Sequence, residues 1–179
     1  NVSNFGDFVL GQCYSLKTVI LPKKITIIGF NAFENCRSLW SVTLQEGLVE
    51  IDQRAFMQCN SLQKVNYPES IQIFRFACFE ACYSLESITI PKNTVLVELK
   101  AFQNCYSVSN FTIVGNKNVK LEIYENAFAR IRIPRSLFIP RGVTKIQNRA
   151  FEDWSSLESI VIERDVTSFN GRPFWSWYA

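Results

Sequence analysis

Five cysteines of this chain recur at a constant spacing of 23 residues. They are Cys13, Cys36, Cys59, Cys82 and Cys105. Cysteines in such numbers can form disulfides, bind zinc or supply a nucleophile. Equal spacing places one cysteine in each turn of a repeated structure, where a buried free thiol behaves as a small apolar side chain. We therefore predict a packed structural column in the core; disulfides between neighbouring coils and metal binding are the alternatives, although the usual metal-ligand spacings are missing.

Other residues at the cysteine position favour packing over ligation. Ile131 and Trp154 occupy it in later repeats, and a ligand position does not accept apolar replacements. The chain has no histidine, which removes the commonest general base and the commonest neutral metal ligand. A cysteine nucleophile needs a base partner, and no Gly-rich phosphate loop occurs. We expect no enzymatic activity, no cofactor and no metal.

The elements that carry these cysteines repeat with the same period. Aromatic anchors precede them at Phe33, Phe56, Phe79, Phe102, Phe128, Phe151 and Phe174. The steps are 23 residues, except for 26 between Phe102 and Phe128, and Leu10 occupies the anchor position one period earlier. Alternating stretches such as "LWSVTL" predict short strands with one buried face, with inward pairs that run from Val19/Leu21 to Ile160/Ile162. A smaller apolar pair follows each strand, and then a short helix or turn begins the next unit.

A unit of this length cannot bury its apolar side alone, but stacked copies bury a continuous core. The pattern predicts a repeat solenoid, a right-handed coil with a parallel sheet on one face. Short helices or turns and short extended segments form the other face. Residues 1–179 are expected to be a single domain of about seven coils. The last segment, "RPFWSWYA", opens a new unit, so Trp175, Trp177 and Tyr178 form an aromatic lid or lead into further coils; we favour a fragment of a longer array.

Bulk properties exclude several partner classes. The chain has 179 residues, of which 47% are hydrophobic and 20% charged, as in a globular domain. A net charge of +3 is too small to indicate nucleic-acid binding. No apolar run approaches the roughly 18 residues of a membrane span, so we expect no direct membrane insertion by this segment.

The repeat unit "AFxxCxSLxSIxIPxxVxxIxxxAF" resembles the BspA-like leucine-rich repeats of bacterial and protist surface proteins. "CRSL" from Cys36 and "CYSLESITIP" from Cys82 carry the resemblance, which extends from about Gly6 to Trp177. The chain departs from it at residues 114–125, which hold three extra residues, and at residues 129–138, "ARIRIPRSLF". The resemblance implies a leucine-rich-repeat coil, a cell-surface or secreted location, and attachment to host cells, matrix or other microbes.

One face of the predicted sheet is a candidate binding surface. Where Val42 and Leu44 face inward, Ser41 and Thr43 face outward. The candidate partner-binding residues are Trp40, Ser41, Thr43, Asn66, Ser87, Thr89, Asn110, Thr112, Phe138 and Val161. Their small hydroxyls and amides could bind glycans or protein backbone, or they are simply β-formers in solvated strand positions. Phe138 and Val161 are more suggestive, because apolar groups on a solvated face need a reason.

The sixth coil is unusually basic. No acid lies between Glu125 and Glu152. The basic residues proposed as a patch for an anionic partner, such as a sulfated glycan or an acidic protein, are Arg130, Arg132, Arg135 and Arg141. The alternative is a set of solvated charges spread around the coil.

These features favour a non-enzymatic protein- or glycan-binding repeat module of a cell-surface, adhesin-type protein. Its partner would be a protein or glycan on a host or neighbouring cell. The alternative is an intracellular scaffold for protein–protein interaction, because a column of reduced cysteines is at home in the cytoplasm.

Overall fold

The computed structural model describes residues 3–132 and 135–176. Within these ranges the chain forms fifteen short strands joined by turns, with no helix. In chain order they are β1 (Asn4–Phe5), β2 (Thr18–Ile20), β3 (Ile27–Ile28), β4 (Ser41–Thr43), β5 (Glu50–Ile51), β6 (Lys64–Val65), β7 (Ile73–Phe74), β8 (Ser87–Ile90), β9 (Leu96–Val97), β10 (Asn110–Ile113), β11 (Leu121–Ile123), β12 (Ser136–Ile139), β13 (Val143–Ile146), β14 (Ser159–Ile162) and β15 (Ser168–Phe169).

The strands form two parallel rows, and each coil contributes one strand to each row. The odd-numbered strands make one unbroken eight-stranded sheet from β1 to β15. The even-numbered strands make three separate pieces, β2–β4–β6, β8–β10 and β12–β14. The predicted repeat solenoid is confirmed. The small apolar pairs, expected only as short extended segments, build the more continuous of the two sheets.

Tight turns, rather than short helices, lead into each unit. In the turns from Leu10 to Phe151, two residues have positive φ, one two positions before the anchor and one two positions after it, as Asn31 (φ 55°) and Asn35 (φ 59°) do around Phe33. The left-handed region is costly for most residues but tolerated by Asn and Asp. Two such kinks within five residues prevent helical hydrogen bonding from propagating. The turn expected at this position is therefore correct and the short helix is wrong.

The anchor rings form a single stack through the core. In order, the rings are Phe5, Phe33, Phe56, Phe79, Phe102, Phe128, Phe151 and Phe174. Neighbouring centroids are 4.9 to 5.6 Å apart and the rings are tilted by at most 22°. This spacing is close to the separation of paired strands, so each coil adds one ring in register with its two strands.

The first coil builds the stack differently from the later ones. Leu10 has the backbone position of an anchor, since its N–H donates to the Ala32 carbonyl as that of Phe33 donates to Ala55. The ring against Phe33, however, comes from Phe5 in β1, at 5.1 Å. The repeat alignment identified the backbone position correctly but not the residue that fills the core there.

The last coil is less buried than its pattern indicates. The predicted inward side chains of Ile160 and Ile162 are each 38% exposed. The reason is that β14 pairs with β12 only and has no further strand beside it among the described residues. The aromatic lid considered for Trp177 and Tyr178 lies outside the described residues.

The even row is interrupted at two places. Directly after β6, the side-chain amide of Asn66 takes the place of backbone groups in bonding to the preceding coil. Its Oδ1 accepts the Leu44 N–H at 2.8 Å and its Nδ2 donates to the Leu44 carbonyl at 2.7 Å. After β10 comes the three-residue insertion. The insertion is held against the following coil, where Asn116 N–H donates to the Arg141 carbonyl at 3.1 Å. On that side β11 meets β13 with a register shift.

Candidate functional site

The cysteine column is held by thiol hydrogen bonds. Cys13 is half-buried and the other four are fully buried. Each buried thiol donates to the carbonyl of an anchor position 26 residues earlier. The bonds are Cys36 Sγ to Leu10 O at 3.1 Å, Cys59 Sγ to Phe33 O at 3.2 Å, Cys82 Sγ to Phe56 O at 3.2 Å and Cys105 Sγ to Phe79 O at 3.4 Å. The column thus links each coil to the one before it.

The same bond is present in the coil where tryptophan replaces cysteine. Trp154 Nε1 donates to the Phe128 carbonyl at 2.8 Å. Of the two later described residues at this position, Ile131 and Trp154, Ile131 has no side-chain donor. The interpretation that any apolar group suits the position is therefore incomplete, because cysteine and tryptophan share a donor as well as apolar bulk. The recurrence of side chains with a hydrogen-bond donor at this repeat position could have been recognised in the sequence.

Burial keeps these thiols protonated. Desolvation raises the pKa of Cys36 from its ordinary value near 9.0 to about 11. It also raises the pKa values of Cys59 and Cys82 well above the ordinary range. The thiolate is the nucleophile and the metal ligand, so these buried groups are poorly suited to either role. All six cysteines are free, and within residues 3–132 and 135–176 no group of three or more His, Cys, Asp or Glu could hold a metal ion.

The outward side chains of the even-numbered strands form a surface that we call the strand face. Asn110, Thr112, Phe138 and Val161 are exposed, and Ser41, Thr43, Ser87 and Thr89 are half-exposed. Thr89 lies beside Thr112 in the β8–β10 pairing, and Phe138 lies beside Val161 in the β12–β14 pairing.

Two candidates on the strand face have intramolecular contacts. The amide of Asn66 is bonded through both of its polar atoms to Leu44, so it is less available to a partner. Trp40 is exposed, and the Lys64 ammonium lies 5.9 Å from the centroid of its ring. Trp40 therefore presents an aromatic surface with one cation close to it.

A groove opens on the strand face where the even row is interrupted between β10 and β12. This strand-face groove has a volume of about 290 Å³. Its lining includes the inward-facing Phe111 and Leu137 and the outward-facing Thr112, Phe138 and Val161. Phe138 is 53% exposed and Val161 is 57% exposed. The groove thus combines an apolar floor with two apolar side chains at its rim.

The floor of the strand-face groove belongs to the core. The half-buried ring of Phe111 packs edge-on against Phe128 at 4.9 Å and against Trp154 at 5.2 Å. Trp154 is in turn tied to the Phe128 carbonyl. The groove floor is therefore supported by the same contacts that join successive coils, and its shape is present without a ligand.

Three arginines of the proposed basic patch have ion pairs with acids. Arg130 lies 3.5 Å from Asp153, Arg135 lies 3.4 Å from Glu158, and Arg141 lies 3.4 Å from Asp165. Each acid comes from the next coil, which the linear charge pattern does not reveal. Arg132 is exposed and is the member of this set without an ion pair to the described residues.

Arg132 lines a second concavity, which we call the turn-side cleft. It has a volume of about 490 Å³ and is lined by Tyr106, Arg130, Arg132, Asp153 and Ser155. These residues lie in the turns of three successive coils, outside the strand face. The structure thus divides the predicted sites into the strand-face groove and a separate cleft that contains two of the four arginines.

No helix in the described part of the chain has the length and apolarity needed to cross a membrane.

Comparison with known proteins assigns the repeats. The family model for the BspA type leucine rich repeat region matches residues 3–130 and 77–177, with six copies. Comparison with curated proteins gives no match.

Among solved structures, a leucine rich cell surface protein from Faecalibacterium prausnitzii is 32% identical, with a TM-score of 0.76 over 93% of this chain. The match covers 44% of that protein's chain, so the present sequence spans less than half of its length. A leucine rich repeat protein of T. pallidum is 26% identical, with a TM-score of 0.64 over 95% of this chain and 67% of its own. A leucine-rich repeat protein from Bacteroides ovatus has the same fold, at 18% identity and a TM-score of 0.51, over 96% of this chain and 67% of its own. Because the family model extends over nearly every described coil, this chain belongs to the BspA-type leucine-rich repeat family.

Proposed function

We propose that this chain is a non-enzymatic protein-binding module of a cell-surface or secreted protein, and that it binds its partner through the strand face. The strand-face groove is the centre of the contact. The 32% identical structure is described as a cell surface protein, which supports this location for the present chain. Repeat solenoids commonly bind partners through extended surfaces of this kind.

The observation that carries the proposal is the pair of exposed apolar side chains at the groove. Phe138 and Val161 lie side by side in the β12–β14 pairing and are more than half exposed. Leaving such a patch in water is unfavourable unless a partner covers it, and exposed apolar clusters are typical of interaction sites. The partner would place an apolar side chain against Phe111 at the groove floor, since deep apolar contacts provide most of the binding energy at protein interfaces.

The surroundings of the groove suit the polar rim of such an interface. Thr112 adjoins the groove, and Thr89 lies next to it in the β8–β10 pairing. Their hydroxyls can donate and accept hydrogen bonds with little loss of side-chain entropy. Glycans are a further partner class for these hydroxyls, but the apolar groove favours protein.

Binding can be tested by measuring the affinity of the 179-residue chain for an array of extracellular-matrix and cell-surface proteins. A Phe138→Ser/Val161→Ser double variant should lose at least about 10-fold in affinity for any protein that the wild type captures. Ile20→Ser is the matched control, because Ile20 is an exposed apolar residue of the same face but lies in β2, far from the groove. Equal losses in the two variants, or no loss in the double variant, would contradict the groove as the centre of binding.

An intracellular scaffold is the second candidate, and the free cysteines favour it. All six thiols are unpaired, as is usual in a reducing compartment. Mild protease treatment of intact source cells, followed by mass spectrometry of this segment, separates the two candidates. Release from intact cells supports the surface module, whereas protection until lysis supports the scaffold.

A further inference from the structure

The turn-side cleft has a composition that differs from that of the strand face. Its aromatic wall is Tyr106, whose ring stacks on Tyr83 with centroids 5.5 Å apart and planes tilted by 7°. The Tyr106 hydroxyl donates to Asn104 Oδ1 at 3.0 Å. The ring is therefore held in place from its edge and from one face. The repeat order places Tyr83 on one side of Tyr106 and Arg132 on the other, so the second face of the ring is directed towards the cleft.

The charges of the cleft include one cation without a partner. Arg130 Nε lies 3.5 Å from Asp153 Oδ2, so these two charges offset each other. Arg132 is exposed and has no ion pair to the described residues. Asp153 Oδ1 is buried from solvent and accepts no hydrogen bond. Because Oδ1 is shielded from solvent, a ligand in the cleft would not reach it. The ligand would meet a guanidinium without an ion pair to the described residues, the Ser155 hydroxyl and an open aromatic face.

We propose that the turn-side cleft binds a carboxylated sugar, a residue of the uronic or sialic acid type. Arg132 would bind the sugar carboxylate in a bidentate charge-assisted contact. Ser155 would hydrogen-bond the sugar hydroxyls, since its own hydroxyl can both donate and accept. The apolar C–H face of the sugar ring would lie on Tyr106, whose π-face carries partial negative charge.

Other anions fit this combination less well. A phosphate or sulfate group has no apolar C–H face to lie on the ring of Tyr106. Sites for such groups usually contain several arginines or converging backbone N–H groups, whereas one arginine of this cleft is already paired. An acidic peptide has the carboxylate but lacks the flat array of C–H groups and hydroxyls that Tyr106 and Ser155 can contact together. The observations therefore favour a polyhydroxylated ligand with a single acidic group.

This site is independent of the proposed strand-face function, since it uses no residue of the strand-face groove. The direct test is titration of the 179-residue chain with methyl β-D-glucuronide and methyl β-D-glucoside, followed by calorimetry or ligand-observed NMR. The two probes differ only in the carboxylate. We expect the glucuronide to bind at least about 10-fold more tightly than the glucoside. Acetate and inorganic phosphate, tested alone, should bind more weakly than the glucuronide.

Variants assign the binding to the cleft. Arg132→Gln and Tyr106→Leu should each weaken glucuronide binding by about 10-fold or more. Arg132→Gln should leave the thermal stability unchanged, because this side chain makes no ion pair within the described fold. Tyr14→Leu is the matched control, since Tyr14 has the same repeat position and donates its hydroxyl to Gln12 Oε1 at 3.2 Å, but lies four coils away. It should bind like the wild type, and so should Phe138→Ser/Val161→Ser.

Three results would overturn the proposal. The first is equal affinity for the glucuronide and the glucoside, or no binding of either. The second is an affinity for acetate or phosphate that equals that for the glucuronide, which would indicate a simple anion site. The third is unchanged glucuronide affinity in both Arg132→Gln and Tyr106→Leu. None of these results depends on whether the strand face binds a protein, so the two proposals can fail separately.

Discussion

The indole N–H of Trp154 donates to the carbonyl oxygen of Phe128 at 2.8 Å, across one coil boundary. Thiols make the corresponding bond in earlier coils, as Cys59 does to Phe33 at 3.2 Å. Two chemically different side chains thus satisfy the same buried backbone acceptor. Apart from Ile131, the later described residues at this position supply a donor although the size of the side chain changes. The Phe33 carbonyl also accepts the Cys36 backbone N–H at 3.1 Å, so the indole matters more to Phe128 than the thiol does to Phe33.

Trp154→Phe should therefore destabilise the fold although it keeps an aromatic ring. Loss of the N–H leaves the Phe128 carbonyl without this bond, at an expected cost of about 1–3 kcal/mol in the free energy of unfolding. Urea denaturation monitored by circular dichroism measures the change. Trp40→Phe is the control, since Trp40 is exposed and should change stability by less than about 0.5 kcal/mol. Similar effects of the two substitutions would show that the donor at Trp154 is unimportant.

The phenylalanine stack should make the coils depend on one another. Phe79 is fully buried between Phe56 and Phe102, at 4.9 and 5.1 Å. Phe79→Ala should cost about 3–5 kcal/mol through the lost aromatic contacts and the cavity that remains. In a one-dimensional array the loss should spread to both neighbouring coils, and hydrogen exchange of their backbone amides measures this. A loss of protection confined to one coil would contradict the coupling.

Alkaline pH should destabilise the protein through its buried thiols. Burial raises the pKa values of Cys36, Cys59, Cys78, Cys82 and Cys105 above those of the unfolded chain. The unfolded state then loses protons first, so stability is fully present below the ordinary thiol pKa of 9.0 and falls as the pH rises above it. Each thiol contributes up to about 1.4 kcal/mol per pH unit in this range.

Urea titrations between about pH 7 and pH 10, with a reductant present, measure this loss. Cys59→Val removes one such thiol, so the free energy of unfolding should decline less steeply with pH by the contribution of one thiol. Cys59→Val/Cys82→Val should reduce the slope by the contribution of two thiols. A slope that does not change with the number of buried thiols would assign the alkaline loss to other groups.

Two glycines with similar backbone angles should respond differently to alanine. Gly47 has φ of 100°, and an added Cβ would meet only the Lys23 carbonyl oxygen at 3.7 Å. Gly142 has φ of 96°, but a Cβ there would overlap the backbone carbonyl of Asn116 in the insertion and lie 2.8 Å from that of Val119. Gly47→Ala should cost about 1–2 kcal/mol from the left-handed backbone alone.

Gly142→Ala carries the same backbone cost and a clash that no side-chain rotation relieves, so it should lose at least about 2 kcal/mol more. Thermal denaturation of the two variants side by side gives the difference. Equal losses would mean that the insertion is not packed tightly against the following coil.

The periodic features of this chain were accessible from the sequence. The spacing of Phe33, Phe56 and Phe79 predicts the stacked coils because each repeat must place the same side chain in the same environment. Alternation of apolar and polar residues predicts which strand residues face the core and which face solvent. These inferences depend on local pattern, and Thr112 and Phe138 do lie on the exposed face.

Contacts between coils could not be read from the local pattern. The pairing of Arg135 with Glu158 joins residues a full repeat apart, and it offsets one charge of the proposed patch of Arg130, Arg132, Arg135 and Arg141. The sequence pattern offered the Asn66 amide as a contact for a partner, but in the fold it bonds to Leu44 in the preceding coil, directly after β6 ends.

The two concave sites likewise combine residues that the local repeat pattern predicts with contacts between coils that it does not predict. Sequence alone determined that Phe138 and Val161 are outward apolar residues and that the sixth coil departs from the repeat. Only the tertiary structure decided that β10 and β12 do not pair, which opens the strand-face groove, and that Tyr106 and Arg132 line one cleft. The physical reason is that a solenoid's periodicity specifies each coil separately, whereas a groove or cleft arises from the fit between neighbouring coils, where one irregular coil changes the surface of both.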